Sequence, residues 1–178
     1  MGLFKKKPKK RSTSYKICVL GDEGVGKTSL IRRFTEGKFD EDYDGQIQIS
    51  RTDEMYVSIV EKGLPHSDVI TINIWDLVGD VTMDQAMINA KGALLVCDMA
   101  DKNTLYPLEY WRNVLNEKSG EVPVIVVGNK TDVYSEAGIE EENLKGMAGK
   151  LKAPYMLASA KTGKNVEEIF YRLAKMLL

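Results

Sequence analysis

Apolar residues follow two rhythms along the chain. Short runs rich in valine, isoleucine and leucine lie at about 15–20 (YKICVL), 55–60 (MYVSIV), 69–75 (VITINIW), 93–99 (ALLVCDM), 122–128 (VPVIVVG) and 155–160 (YMLASA), and each predicts a strand. Between several of them the spacing turns helical, at about 27–36, 104–117, 140–151 and 165–178. The last of these is the clearest: Val166, Ile169, Phe170, Leu173, Ala174 and Leu177 fall on one face, and Asn165 with Glu168 three residues later reads as a capping box. The second and third strands are joined by a short segment carrying Gly63 and Pro65, which predicts an antiparallel hairpin, while the remaining strands are linked through helices and so pair in parallel. The expected fold is α/β: a six-stranded, mostly parallel sheet with one antiparallel strand and helices on both faces. Such sheets bind ligands at the carboxyl ends of their strands.

That end of the first strand carries GDEGVGKT, residues 21–28, which fits GxxxxGK[ST] between a strand and a helix. Gly21, Gly24 and Gly26 let successive backbone N–H groups turn toward phosphate oxygens beside a positive helix N-terminus. Lys27 supplies a charge to the β- and γ-phosphates, and Thr28 offers a hydroxyl to Mg²⁺. The strand VITINIW delivers Asp76 at its carboxyl end as a second metal ligand. A phosphate cradle does not choose a base, but the strand at 122–128 runs into Asn129-Lys130-Thr131-Asp132. The Asp132 carboxylate can accept from both N1–H and the 2-amino group of guanine, a donor pair that adenine lacks.

Composition bounds the rest. At 178 residues the chain suits one domain with one sizeable core. No apolar run approaches the roughly 20 residues that span a bilayer, and no secretory signal is evident, so a cytoplasmic protein is expected. Cys18 and Cys97 lie inside apolar runs without a CxxC partner and are read as reduced core residues; His66 falls in the hairpin turn and is assigned no chemistry. Charge is uneven: Lys5, Lys6, Lys7, Lys9, Lys10 and Arg11 give residues 1–14 a charge of +6, against 19 basic and 26 acidic residues, −7, in the remaining 164. Residues 1–14 are therefore expected to be a flexible basic tail and 15–178 the domain. Two readings of the tail stay open, electrostatic attachment to an anionic membrane surface or a solvated extension, and no nucleic-acid partner is expected. Gly2 would suit myristoylation, but Lys6 stands where that motif wants Ser or Thr.

Taken together these stretches resemble a small GTPase of the Ras superfamily, a P-loop G domain, over residues 15–178. Phe39 and Tyr43 in KFDEDYDG resemble the first switch, where the family's Phe packs on guanine and its Tyr covers the phosphates. DMADKNTLYPLEYW (98–111) and SAKTGKNVEEIF (159–170) look like Rab and Ras relatives, and MGLFKKKPKK is closer in style to Arf-like proteins. The resemblance implies bound GTP or GDP with Mg²⁺. It implies nucleotide contacts from Asp22, Glu23, Gly24, Val25, Gly26, Lys27, Thr28 and Ser29, from Gly79, and from Asn129, Lys130, Asp132, Ser159, Ala160 and Lys161. In that pattern Lys130 lays its methylenes on the base and the Ala160 N–H reaches O6. It also implies effectors, an exchange factor and an activator that read the switches.

The family's hydrolytic equipment is altered at three places. Gln46 stands where the first switch carries a threonine, and its amide oxygen reaches Mg²⁺ only by folding back. In WDLVGD, Gly79 is kept but Asp80 replaces the glutamine that orients water; a carboxylate only accepts hydrogen bonds and repels the γ-phosphate. Glu23 puts bulk where an arginine finger enters, a contribution worth 10³ to 10⁵ in rate, about 4 to 7 kcal/mol. The segment from Gly79 to Gly92 also looks about one helical turn short, with Gln85 a distant substitute for the missing amide. The catalytic candidates are thus Lys27, Asp80 and Gln46, the metal ligands Thr28, Asp76 and Gln46. The expectation is a guanine-nucleotide switch and GTP hydrolase of low intrinsic rate. A pseudo-GTPase whose nucleotide is structural is the competing reading, and a P-loop kinase a distant third.

Overall fold

The computed structural model describes residues 12–37, 53–58, 69–75, 87–133, 135–136 and 138–177. Six strands, β1 (Ser12–Leu20), β2 (Asp53–Ser58), β3 (Val69–Trp75), β4 (Gly92–Asp98), β5 (Val124–Asn129) and β6 (Tyr155–Leu157), lie side by side in the order β2-β3-β1-β4-β5-β6. β2 runs antiparallel to β3, and every other neighbouring pair is parallel. The described helices are α1 (Lys27–Glu36), α2 (Pro107–Ser119), α3 (Glu141–Lys150) and α4 (Val166–Met176), with a single 3₁₀ turn at Lys102–Thr104.

β4 and β5 are buried at every position, which is why their sequences read as unbroken apolar runs: both faces of an inner parallel strand are covered. Period-two alternation then sorts their side chains into two cores. Ile17, Val19, Leu94, Val96, Ile125 and Val127 pack with α1 and α4, and the rings of Phe34 and Phe170 stack 4.0 Å apart between those helices. Cys18, Leu20, Leu95, Cys97 and Val126 pack on the other face with Leu108, Trp111 and Leu115 of α2 and Leu144 and Met147 of α3. Both cysteines are free and buried, as their apolar surroundings predict.

Several boundaries differ from the sequence expectation by one to three residues, and four of the differences have a visible cause. β1 begins at Ser12, three residues early, because Ser12–Ser14 find backbone partners opposite Val69–Thr71. α2 begins at Pro107, a residue that suits a first helical position, and a 3₁₀ turn capped by Asp101 takes up the three residues at 102–104. β6 stops at Leu157, where the chain turns so that Ser159 N–H bonds Lys164 O. The capping box is absent: Asn165 sits at φ +57° with no cap bond, and its Nδ2 donates to Leu157 O at 2.8 Å, closing the loop between β6 and α4 instead. Residues 1–11, the hairpin turn with His66, and Gln85 lie outside the described residues.

β1 has β3 on one side and β4 on the other, and the chain crosses the sheet in opposite directions to reach them. The crevice beyond the carboxyl end of β1 is therefore the topological switch point of the sheet.

Candidate functional site

Residues 21–26 occupy that crevice and lead directly into α1. Gly21, at φ +149°, passes so close to β4 that a Cβ would stand 2.2 Å from Val96 O. Gly26, at φ +94°, is the residue before α1, and a Cβ there would stand 2.4 Å from Asn129 Nδ2. Only glycine satisfies both conditions at once. α1 carries no acidic residue in its first turn and no side-chain cap, whereas α3 and α4 begin with Glu141 and Glu142, and with Glu167 and Glu168. The first N–H groups of α1 thus keep their positive field, the arrangement that favours an anion.

Lys27 folds its Nζ back over the loop and donates to Gly21 O (2.9 Å) and Asp22 O (2.7 Å). Thr28 is nearly buried at the start of α1 and Ser29 half-buried beside it; Val25 is fully buried, and Glu23 and Gly24 are exposed at the loop tip. Asp22 is half-buried, and its Oδ1 accepts from Trp111 Nε1 at 2.9 Å.

Two further loops converge on this one from the carboxyl ends of β5 and β6. Asn129, 1 % exposed, donates from Nδ2 to Val25 O (2.9 Å), and its Oδ1 accepts from the Ala160 N–H (3.1 Å). One side chain therefore holds three loops in register. Lys130 adopts φ +64°, and its Nζ donates to Asp98 Oδ2 at 2.6 Å; its Cε lies 3.9 Å from the Cβ position of Gly26. Asp132 is exposed at the mouth, where its Oδ1 accepts from Ser159 Oγ, and Ser159 Oγ in turn accepts from the Thr162 N–H. The serine fixes the rotation of the carboxylate and leaves Oδ2 for another donor. Thr131 ties its own loop to Ala158 O through N–H (3.1 Å) and Oγ1 (3.0 Å). Lys161 is exposed beside this mouth.

The sequence reading did not anticipate three supports. Arg33 on α1 donates from Nε to Ala160 O (2.7 Å) and from Nη2 to Lys161 O, bracing the last loop from 127 and 128 residues away. Asp98 anchors Lys130, and Trp111 anchors Asp22. Nothing in the spacing of an arginine within a helix announces such contacts; Trp111 and Asp98 do bound the stretch DMADKNTLYPLEYW, so there the signal was present without its geometry. The remaining candidates, Phe39, Tyr43, Gln46, Asp76, Gly79 and Asp80, lie outside the described residues.

Residues 16–178 match the model of the Ras family. Among curated proteins, the chain is 32 % identical over 167 residues to the Ras-related protein SEC4 of Candida albicans, covering 91 % of this chain and 76 % of that one. It is 31 % identical over 169 residues to Ras-like protein 1 of Saccharomyces cerevisiae (92 % and 52 %) and 30 % identical over 172 residues to the GTP-binding nuclear protein GSP1 of Encephalitozoon cuniculi (94 % and 78 %). With the described phosphate-loop, Asn129–Asp132 and Ser159–Lys161 stretches meeting at one crevice and the family match reaching all six strands, the chain belongs to the Ras family of small GTPases.

Proposed function

We propose that this small GTPase is a switch that holds GDP or GTP with Mg²⁺ and hydrolyses GTP slowly. The support is Asn129, whose two bonds set the phosphate loop, the Asp132 loop and the Ala160 loop at fixed spacing, as a ligand with phosphates at one end and a purine at the other requires. In this reading the α1 N–H groups and Lys27 meet the phosphates, which compete with Gly21 O and Asp22 O for the ammonium. Asp132 accepts from the guanine edge, the Ala160 N–H lies toward O6, and Phe39 and Tyr43 cover the nucleotide. Thr28, near the loop and almost buried, fits a metal ligand; with Asp76 and Gln46 it would hold Mg²⁺, which neutralises charge between the outer phosphates.

Hydrolysis is slow in this reading because Asp80 cannot both accept from water and donate to a phosphate oxygen, and because Glu23, exposed at the loop tip, crowds the approach of an external arginine. Effectors and regulators read the segments around Gln46 and Asp80. Calorimetry with Mg²⁺ is expected to show GDP bound at least about 10²-fold more tightly than ADP, consistent with two bonds to a carboxylate at about 1.5–3 kcal/mol each. Single-turnover assays are expected to show slow loss of the γ-phosphate that Asp80→Gln accelerates. Equal capture of ADP would end the guanine reading, and a variant no faster than the parent would end the account of Asp80. Equal partner binding by GDP and GTP-analogue forms would instead favour nucleotide as a structural ligand.

The same reading extends to residues 1–11, the part of the expected tail that precedes β1, which we propose meet an anionic membrane surface, each basic residue contributing about 1 kcal/mol. Vesicles containing phosphatidylserine should retain the full chain and release one beginning at Ser12, where β1 starts. Equal retention of both would end it.

A further inference from the structure

The phosphate loop of this protein contains two consecutive carboxylates, Asp22 and Glu23, in a place that must receive a polyphosphate. Their surroundings differ. Glu23 is exposed at the tip, where water screens it, whereas Asp22 is half-buried, and its backbone carbonyl already accepts from Lys27 Nζ. A half-buried carboxylate so close to the cradle would repel the phosphates through a poorly screened path unless something turned it away. The indole of Trp111 is bonded to it. Its Nε1–H donates to Asp22 Oδ1 at 2.9 Å, and the ring itself is held by the α2 core at 8 % exposure and by an edge contact from Tyr110, 5.5 Å between centroids.

We infer that Trp111 is a positioning residue for nucleotide binding: its indole N–H holds the Asp22 carboxylate on the α2 side of the loop, away from the phosphates. This rests on the nucleotide reading given above. It differs from a packing role for the ring, because the quantity at stake is the direction of a charge. Trp111→Phe keeps an aromatic ring in the core but releases the carboxylate. Replacing Asp22 by Asn first removes the charge, so that losing the indole afterwards no longer matters.

The test is a four-member cycle on the full chain, parent, Trp111→Phe, Asp22→Asn and both, each measured for dissociation of fluorescent GDP in Mg²⁺. Trp111→Phe is expected to speed dissociation about tenfold in the parent and less than threefold on Asp22→Asn. An equal loss in both backgrounds would assign Trp111 a packing role and overturn the inference, as would no loss in either. A parent chain that binds no GDP would instead overturn the nucleotide reading, and this inference with it. Because Trp111→Phe can also impair folding, the ¹H–¹⁵N indole resonance of Trp111 is followed in the GDP-loaded chain. It is expected downfield in the parent and displaced upfield in Asp22→Ala; a resonance indifferent to Asp22→Ala would show that no bond is made with nucleotide present and would also overturn the inference.

Discussion

At the scale of single residues, Asn129 is the side chain on which most depends. It has one amide, and both halves of it are committed to backbone groups of other loops that are themselves buried: the residues concerned, Val25 and Ala160, are 0 % and 3 % exposed. Removing the amide would strand a carbonyl and an N–H out of reach of water, each at about 1–3 kcal/mol. Asn129→Ala is therefore expected to lose about 2–5 kcal/mol in urea unfolding of the nucleotide-free chain, and to weaken GDP binding as the three loops drift apart. A loss below about 1 kcal/mol would mean that water or a shifted loop replaces the amide. The same crowding accounts for Gly26, since any Cβ there would collide with the Asn129 amide that spans the crevice. Two residues singled out by motif, one for its lack of a side chain and one for its polar group, are thus a single fitted pair.

At the scale of elements, the sequence was legible where one physical cause controlled the pattern. β4 and β5 are covered on both faces, so nothing polar interrupts their apolar runs, and α4 shows its buried stripe because one face alone meets the sheet. The phosphate loop was legible because steric necessity confines Gly21 and Gly26 to glycine. Legibility failed where two distant elements share a bond. Asn165 and Glu168 carry the spacing of a cap, yet the asparagine is claimed by Leu157 O at the end of β6, a partner that no local rule names. Arg33 is more consequential still. It lies on the helix that leaves the loop at 21–26 and holds the carbonyls of Ala160 and Lys161, so the loop after β6 is braced by the helix that follows β1. Such cross-bracing arises from sheet order alone: β6 and its loop come beside β5, and α1 and α4 share one face of the sheet. Asn129, Lys130 and Asp132 could be named from the motifs, whereas the residues that contact the site loops from other elements, Arg33, Asp98 and Trp111, required the fold.

At the scale of the whole molecule, burying the second core on one face of the sheet also closes off both thiols. Loss of water pushes the Cys18 thiol up to about 12, against a smaller opposite pull from Lys16, and pushes Cys97 up to about 12 with Asp98 adding to the effect; the ordinary value is 9.0. The sign follows from proton binding. Below pH 9 folded and unfolded chains both keep the proton, and the contribution is intact; between pH 9 and about 12 the unfolded thiols ionise while the folded ones do not, so stability falls by about 1.4 kcal/mol per pH unit for each cysteine. Lysines and tyrosines titrate in the same range, which makes the difference between two chains the useful quantity. Cys97→Ala is expected to be less stable than the parent at pH 8, since it leaves a small cavity beneath β5, yet to lose stability less steeply between pH 9 and 11. Urea midpoints taken in reducing buffer at half-unit steps would show the two curves converging as pH rises. Curves that stay parallel would mean that the Cys97 thiol ionises inside the fold as freely as in water, and that the sheet face around it is open to solvent.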